Sequence, residues 1–267
     1  MSLPDKFSDQ LIDAVKNAAA FIRKNSGAVD PADVEKKSLN NLVSYVDTTS
    51  EQMLVKDLKN IIPQSGFITE ENTTKQSQQN EYTWIIDPLD GTTNFLHGIP
   101  IYCVSVGLMK NDEMIAGVVH EVNLDECFYS FGAGKSYLNN KEITVSPVSH
   151  LRESLIATGF PYTDYHRKHP YMDVFDYCMH HTRGLRRLGS AAADLVYVAC
   201  GRFEAFWEYG LNAWDIAAGS FIVEQAGGTV SDFNGKRNFL FGEEIIACNA
   251  LVYDSFLKIV MEKFKTD

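Results

Sequence analysis

The chain shows no cysteine pattern and no long apolar run, and no leader is expected from its opening residues. Its five cysteines (Cys103, Cys127, Cys178, Cys200, Cys248) are far apart and show no Cys-x-x-Cys spacing. A disulfide framework or structural zinc site is therefore not expected, and a reducing compartment fits best. Met-Ser-Leu-Pro-Asp at the start carries no basic segment ahead of an apolar core, and the roughly 18 consecutive apolar residues of a spanning helix occur nowhere. The expectation is a cytoplasmic protein without a membrane segment. Basic residues are in deficit, 24 Lys and Arg against 35 Asp and Glu, for a formal charge of −11. Such a surface repels nucleic-acid phosphates unless a local basic patch forms, whereas a cleft rich in carboxylates draws divalent cations. Repeats, low-complexity tracts and long Pro/Gly/Ser linkers are missing as well, so any division near residues 145–155 separates packed lobes, 1–148 and 149–267, not tethered domains. What is present is an ordinary apolar share of 45%, on a chain long enough to bury roughly three quarters of its unfolded surface.

Leu11, Ile12, Val15, Ala18, Ala19 and Ile22 recur at helical spacing and stop before Asn25-Ser26-Gly27, which predicts an opening amphipathic helix. Thr48-Thr49-Ser50-Glu51 has the form of a capping box, predicting a second helix directly behind Asp47 that ends at Pro63. Short apolar runs follow at residues 67–68, 84–86, 104–108, 115–119 and 127–129, joined by the polar connections Lys110-Asn111-Asp112-Glu113 and Asn139-Asn140-Lys141-Glu142. These predict an antiparallel meander. In the second half a helix is expected over 190–200, capped by Ser190 and stopped by Gly201, then an aromatic strand over 203–209 and a helix over 215–226 stopped by Gly227-Gly228.

The richest stretch is Trp84-Ile85-Ile86-Asp87-Pro88-Leu89-Asp90-Gly91-Thr92-Thr93-Asn94-Phe95. An apolar strand runs into Asp87, Pro88 has no N–H and is expected to stop sheet pairing, and Asp90 follows in a tight turn, so two carboxylates can converge. Gly91-Thr92-Thr93 then offers close backbone approach and a helix start suited to an anion. The same residues also make an ordinary turn. Glu70-Glu71, behind a strand-like segment, is either functional or merely solvated; Asp47 and Asp215 are either site residues or carboxylates stabilising helix N-termini. His97, His120, His150, His166, His169 and His180-His181 show no i, i+4 register with a Glu partner and are read as structural or surface residues. The aromatic run Phe203, Phe206, Trp207, Tyr209 is read as core, with Glu208 as its exception.

Taken together, Glu70-Glu71, the Asp87 to Phe95 run, Gly189-Ser190-Ala191-Ala192 and Trp214-Asp215-Ile216-Ala217-Ala218-Gly219 resemble, across nearly the full chain, the magnesium-dependent, lithium-sensitive phosphatases of the inositol monophosphatase family. The resemblance implies an α+β fold, a layered αβαβα sandwich of the sugar-phosphatase type with its site between two lobes, and commonly a homodimer. It implies that Glu70, Asp87 and the Leu89 carbonyl hold one Mg²⁺, that Asp87, Asp90 and Asp215 hold a second, and that Glu70 assists a weaker third. Gly91 and Thr92 N–H groups would bind phosphate, and Thr92 with Asp47 would orient and deprotonate water. Asp90, the Gly189-Ser190-Ala191 turn and Glu208 would face the leaving alcohol. Lys36 matches a family position near the site, although Ser38-Leu39-Asn40-Asn41 diverges around it.

The physics agrees with a metal site independently of the family. Two carboxylates about 4 Å apart repel by roughly 4 kcal/mol at an effective dielectric near 20, so several converging in one cleft need cations or protons. An all-oxygen donor set favours Mg²⁺, with Mn²⁺ as substitute, over zinc. The expected activity is a phosphomonoesterase for small polyol phosphates, inositol monophosphate first, with fructose 1,6-bisphosphate, 3′-phosphoadenosine 5′-phosphate, NADP and histidinol phosphate as alternatives. A different class is a regulatory protein binding RNA or the transcription machinery, which would need Arg183, Arg186, Arg187 and Arg202 to form a patch. Arg186, Arg187, Glu71 and Lys36 are secondary site candidates.

Overall fold

The structure is a computed structural model and describes residues 3–30, 34–36, 42–161 and 165–265. The opening helix α1 spans Phe7–Asn25 and buries Leu11, Val15, Ala18, Ala19 and Ile22, the stripe expected from their spacing. After the short pair β1 (Glu35–Lys36) and β2 (Leu42–Val43), helix α2 covers Tyr45–Ile61. It begins three residues earlier than expected. Its capping box is Ser44 with Asp47, not Thr48 with Glu51. Ser44 is extended and presents its hydroxyl to the Val46 N–H, so Thr48 to Glu51 are free to be interior helix residues.

A seven-stranded sheet follows: β3 (Gly66–Thr69), β4 (Tyr82–Asp90), then, after the one-turn helix α3 (Thr92–Leu96), β5 (Cys103–Lys110), β6 (Glu113–Glu121), β7 (Glu126–Ser130), β8 (Ser136–Leu138) and β9 (Lys141–Ile143). The strands lie in chain order. From β4 onward every pair is antiparallel, as the expected meander has it, but β3, which that expectation included, runs parallel to β4 and departs from it. The second half contains β10 (Leu155–Thr158), α4 (Lys168–His181), β11 (Gly184–Arg186), α5 (Ala191–Ala199), β12 (Ala205–Tyr209), α6 (Ala213–Gln225), β13 (Gly228–Ser231), β14 (Glu244–Asn249) and α7 (Tyr253–Phe264). Its five strands run in the order β11-β10-β12-β14-β13, with β10 parallel to both neighbours and the other pairs antiparallel.

Three apolar clusters stack these elements. Leu11, Ile22, Leu54 and Leu58 of α1 and α2 meet Trp84, Ile86, Val104 and Val106 on one face of the larger sheet. Leu195, Val198, Ile216 and Ile222 of α5 and α6 lie between Val119 and Phe128 of that sheet and Phe206, Ile245 and Ala247 of the smaller one. Tyr171, Val174 and Cys178 of α4, with Phe256 and Val260 of α7, cover the far face at Ile156, Trp207 and Ile246. The layer order is therefore α, β, α, β, α. Each fully buried Val, Leu, Ile or Phe among them contributes about 1.5–3 kcal/mol by leaving water. All five cysteines are free thiols, and no helix among the described residues is long and apolar enough to cross a membrane.

Candidate active site

Trp84, Ile85 and Ile86 are buried on both faces of β4, so the strand carries Asp87 into the interior at 1% exposure. Pairing does not end at Pro88, contrary to expectation. Asp87 stands opposite Ser105 and Asp90 opposite Cys103, with a register shift between them. Proline cannot donate to the ladder, and the chain answers with a bulge instead of a terminus, so Asp90 closes a strand and is not held in a turn. The bulge lets the Leu89 N–H donate to Asp87 Oδ1 at 3.0 Å while the Leu89 carbonyl accepts from the Thr92 hydroxyl at 3.0 Å. Gly91 then turns the chain at φ +94°, where a Cβ would lie 3.1 Å from the Ile101 carbonyl oxygen. The first bond of α3 runs from the Phe95 N–H to the Gly91 carbonyl, so the Thr92, Thr93 and Asn94 N–H groups have no intrahelical acceptor.

Asp47 stabilises the start of α2 and also reaches the cleft residue Thr92. Its Oδ2 accepts from the Ser44 N–H (2.9 Å) and hydroxyl (2.7 Å), and its Oδ1 accepts from Thr92 Oγ1 at 2.9 Å. Burial pushes its carboxyl above the ordinary range, against the lowering effect of these bonds. Glu70 leaves β3 with its N–H on the Ile86 carbonyl at 3.3 Å. A residue that the sequence reading misassigned organises this corner. Glu51, completely buried, accepts from the Thr69 hydroxyl, the Glu71 N–H, and the Thr73 N–H and hydroxyl, all within 2.9 Å. The only available signal was an acidic residue at an interior position of a predicted helix.

From the second half, the N-terminus of α5 closes on Asp90. Ser190 caps the helix, and its hydroxyl (2.6 Å) and the Ala192 N–H (2.7 Å) both donate to Asp90 Oδ2. Asp215 is the third residue of α6, capped by Asn212, whose N–H donates to Asp215 Oδ2 at 2.6 Å. Glu208 sits on β12, two residues from Phe206 and on the same face, toward α5 and α6. A Cβ at Gly159 would lie 2.0 Å from Glu208 Oε2, so glycine there makes room for the carboxylate.

Glu70, Asp87, Leu89, Asp90, Gly91, Thr92, Gly189, Ser190, Ala191, Arg187, Glu208 and Asp215 all line one cleft of about 790 Å³ of non-atom space, open to solvent. Asp47 stands behind it through Thr92. Glu71 and Arg186 are not on its wall. Lys36 belongs to β1, but its side chain, like Ser38 to Asn41, lies outside the described residues. Arg202 does not join a basic patch with Arg186 and Arg187 as a free cation, because both its terminal nitrogens donate to Glu126 at 2.6 and 2.5 Å. Asp194, which the sequence reading passed over, lines the cleft as well.

The cleft is electrostatically loaded. Burial, then repulsion from Glu70, Asp90 and Asp215, holds Asp87 well above the usual carboxylate range. Burial and the Asp90 charge push Asp215 up to about 8, and burial pushes Asp90 up to about 6 against its bonds from Ser190 and Ala192. Among the described residues, no three acidic, His or Cys side chains are already drawn into a metal-holding cluster. The donor chemistry nevertheless fits a hard divalent ion: Glu70, Asp87, Asp90, Asp215 and the Leu89 carbonyl offer only oxygen, and their mutual repulsion is what such a charge relieves.

The sequence profile described as the Inositol monophosphatase family matches residues 3–264. The chain belongs to this family. It is 35% identical over 250 residues to the inositol-1-monophosphatase of Mesorhizobium japonicum, covering 94% of each chain. It is 37% identical over 254 residues to the putative Nus factor SuhB of Neisseria meningitidis serogroup B, covering 95% of this chain and 97% of that one. The crystal structure of the extragenic suppressor protein SuhB from Bartonella henselae superposes with a TM-score of 0.89 at 33% identity, over 94% of this chain and 97% of that one. Membership of the inositol monophosphatase family accounts for the two-sheet α+β architecture. Relatives of similar identity carry two different functional names.

Proposed function

We propose that the chain is a Mg²⁺-dependent phosphomonoesterase of small polyol phosphates, with myo-inositol 1-phosphate as its leading substrate. The observation that carries this reading is the meeting in one cleft of Glu70, Asp87, Asp90 and Asp215 with the Gly91-Thr92 helix start and a Thr92 hydroxyl bonded to Asp47. Glu70, Asp87 and the Leu89 carbonyl would hold one ion, Asp87, Asp90 and Asp215 a second, and Glu70 would assist a third. When bound, Mg²⁺ or Mn²⁺ supplies charge that neutralises phosphoryl oxygens and acidifies water.

The chain's own residues do the rest. The Thr92 hydroxyl, tethered to Asp47 Oδ1, orients the attacking water, and Asp47 receives its proton; a buried carboxylate with a raised pKa is the better base. The N–H groups at Gly91 and Thr92 hold phosphoryl oxygens during in-line displacement. Asp90 is kept from swinging by Ser190 and Ala192, and the Gly189-Ser190-Ala191 turn and Glu208 face the departing alcohol. The protein is proposed to work as a homodimer. Phosphate release from inositol 1-phosphate, fructose 1,6-bisphosphate, 3′-phosphoadenosine 5′-phosphate, NADP and histidinol phosphate, with Mg²⁺ and with chelator, tests the reading. Preference for a nucleotide would replace the substrate, and release that ignores chelator would end the metal mechanism.

A second reading is supported by the relative named putative Nus factor SuhB: the chain also engages transcription machinery. Capture of transcription proteins or RNA by Asp90→Asn, as strong as by the wild type, is the result expected of a role separate from turnover. Absence of capture by either protein removes it.

A further inference from the structure

Among the described residues, six buried side-chain polar atoms have no hydrogen-bond partner: Thr83 Oγ1, Trp84 Nε1, Ser105 Oγ, His120 Nδ1, Trp207 Nε1 and Asp194 Oδ1. Only Asp194 is a carboxylate, and only Asp194 lines the cleft. It is the fourth residue of α5 and 1% exposed. Its N–H already makes the first helical bond, to the Ser190 carbonyl at 3.0 Å, and Ser190 itself caps the helix, so the side chain is not needed at the helix end. An apolar residue would suit this position on a helix whose other members are all buried and mostly aliphatic. A polar group kept there without a partner calls for a functional reason.

The wall beside it supplies one. On β12, Phe206 and Glu208 face α5 and α6, while Trp207 and Tyr209 face α4 and α7. Glu208 is the largest charge acting on Asp194, by repulsion, and its own carboxylate accepts no hydrogen bond from the described residues. Two buried acceptors thus share one wall of the cleft. Arg187, also on the wall, exerts a favourable field on both. That guanidinium offsets part of the carboxylates' charge, and a neutral ligand with two hydroxyl donors would supply the hydrogen bonds that both lack.

We propose that Asp194 and Glu208 form a paired-carboxyl seat for two neighbouring hydroxyls of the leaving alcohol, which makes Asp194 a specificity-determining residue selecting vicinal diols. This rests on the phosphatase reading above and narrows its substrate class. A ring polyol presents adjacent O–H groups to the two acceptors at once, and a simple alkyl or aryl alcohol leaves both unmet. A site built to hydrogen-bond a hydroxyl rejects analogues that lack it, because its buried polar groups then remain unpaired.

The test compares two esters in the full-length Mg²⁺-loaded protein: myo-inositol 1-phosphate and phenyl phosphate, whose alcohol has no further hydroxyl. Asp194→Val, which removes the acceptor and leaves a compact apolar side chain, should lower kcat/KM for the inositol ester at least about tenfold, mainly through KM. It should change the phenyl ester less than twofold. Asp194→Asn, which keeps an acceptor, should restore most of the inositol preference. Equal losses on both esters, or no loss on either, overturns the seat. If Asp194→Val does not fold, Asp194→Ala takes its place; if neither folds, the carboxylate serves the fold and the proposal falls. If the wild type hydrolyses neither ester, the phosphatase reading fails instead. The seat then stands only if myo-inositol binds the wild type and not Asp194→Val by saturation-transfer NMR, with cyclohexanol binding neither.

Discussion

On the wall built by α2 and β4, each aspartate is held by donors of the chain itself. Asp47 accepts three hydrogen bonds, Asp90 two and Asp87 one. On the wall built by α5 and β12, the carboxylates of Asp194 and Glu208 accept none from the described residues. Residue exposure alone does not separate the walls, since Asp47, Asp87, Asp194 and Glu208 are all buried and Asp90, which has donors, is half-buried. Fixed carboxylates suit a task in which geometry must exist before the ligand arrives, as for ions and a proton acceptor. Carboxylates without donors suit a task in which the ligand brings them.

The comparison breaks most visibly at Asp90 and Asp215. Asp90→Asn and Asp215→Asn keep side-chain shape while removing charge. Activity should fall well beyond the roughly 10- to 100-fold typical of residues outside the ligand sphere, and Mg²⁺ affinity, by calorimetry, should fall with it. Because each change removes repulsion among buried carboxyls, melting without metal should hold or rise. Wild-type rates in either variant would take that residue out of the mechanism. Asp47→Asn should lower kcat by about 100- to 10,000-fold, the range for loss of a general base, with Mg²⁺ affinity unchanged. Loss of metal binding there would move Asp47 from the proton-accepting role to the ion-holding one.

Stability against pH sharpens the same contrast with a smaller effect. Asp215 and Glu208 are pushed up to about 8, mainly by burial, and Asp90 up to about 6. Such groups keep protons in the folded chain that the unfolded chain has released, so the metal-free protein loses stability as pH rises from the ordinary carboxylate range through about 8. His120 opposes this only at lower pH: burial depresses it to about 4 from 6.5, which adds stability as pH rises across that interval. The clean window is therefore pH 6.5 to 8.5, where melting temperature with chelator should fall. Millimolar Mg²⁺ should flatten or reverse the fall, since ions bind the deprotonated carboxylates and only in the folded state. A slope that Mg²⁺ leaves unchanged would show that the titrating carboxyls are not those the ion neutralises.

The parts of this cleft legible in sequence are those where chemistry and local structure coincide. Asp87, Asp90, Gly91 and Thr92 fall within six consecutive positions, and a strand running into Asp-Pro with a glycine behind it announces converging carboxylates. The meander was legible from runs of apolar residues between polar turns, and α1 from its stripe. Pro88 misled because local propensity ends a strand there, whereas tertiary pairing with β5 carries it on through a bulge. Ser44 was missed because Thr48 to Glu51 satisfies the same capping pattern three residues later. Asp194 and Glu51 carry only the weak local signal of an acidic residue inside a predicted helix. Their meaning arises from what lies opposite them in space, an unsatisfied carboxyl on the cleft wall and the loop behind β3.

The smallest expected effect tests whether the held wall is held for function. Ser44 Oγ accepts from the Val46 N–H at 3.1 Å and donates to Asp47 Oδ2 at 2.7 Å, so one hydroxyl both caps α2 and fixes the proposed base. Ser44→Ala should cost about 1 kcal/mol of stability as a lost cap. If the cap were its whole contribution, kcat would stay at the wild-type value wherever the protein remains folded. If the hydroxyl also holds Asp47 in register with Thr92, kcat should drop several-fold and the acid limb of its pH profile should move up, because a bond that stabilises the charged carboxylate has been removed. Ser44→Thr keeps the hydroxyl and should restore both. A stability loss with unchanged kcat and pH profile would mean that the Ser44 N–H and Thr92 hold Asp47 well enough alone.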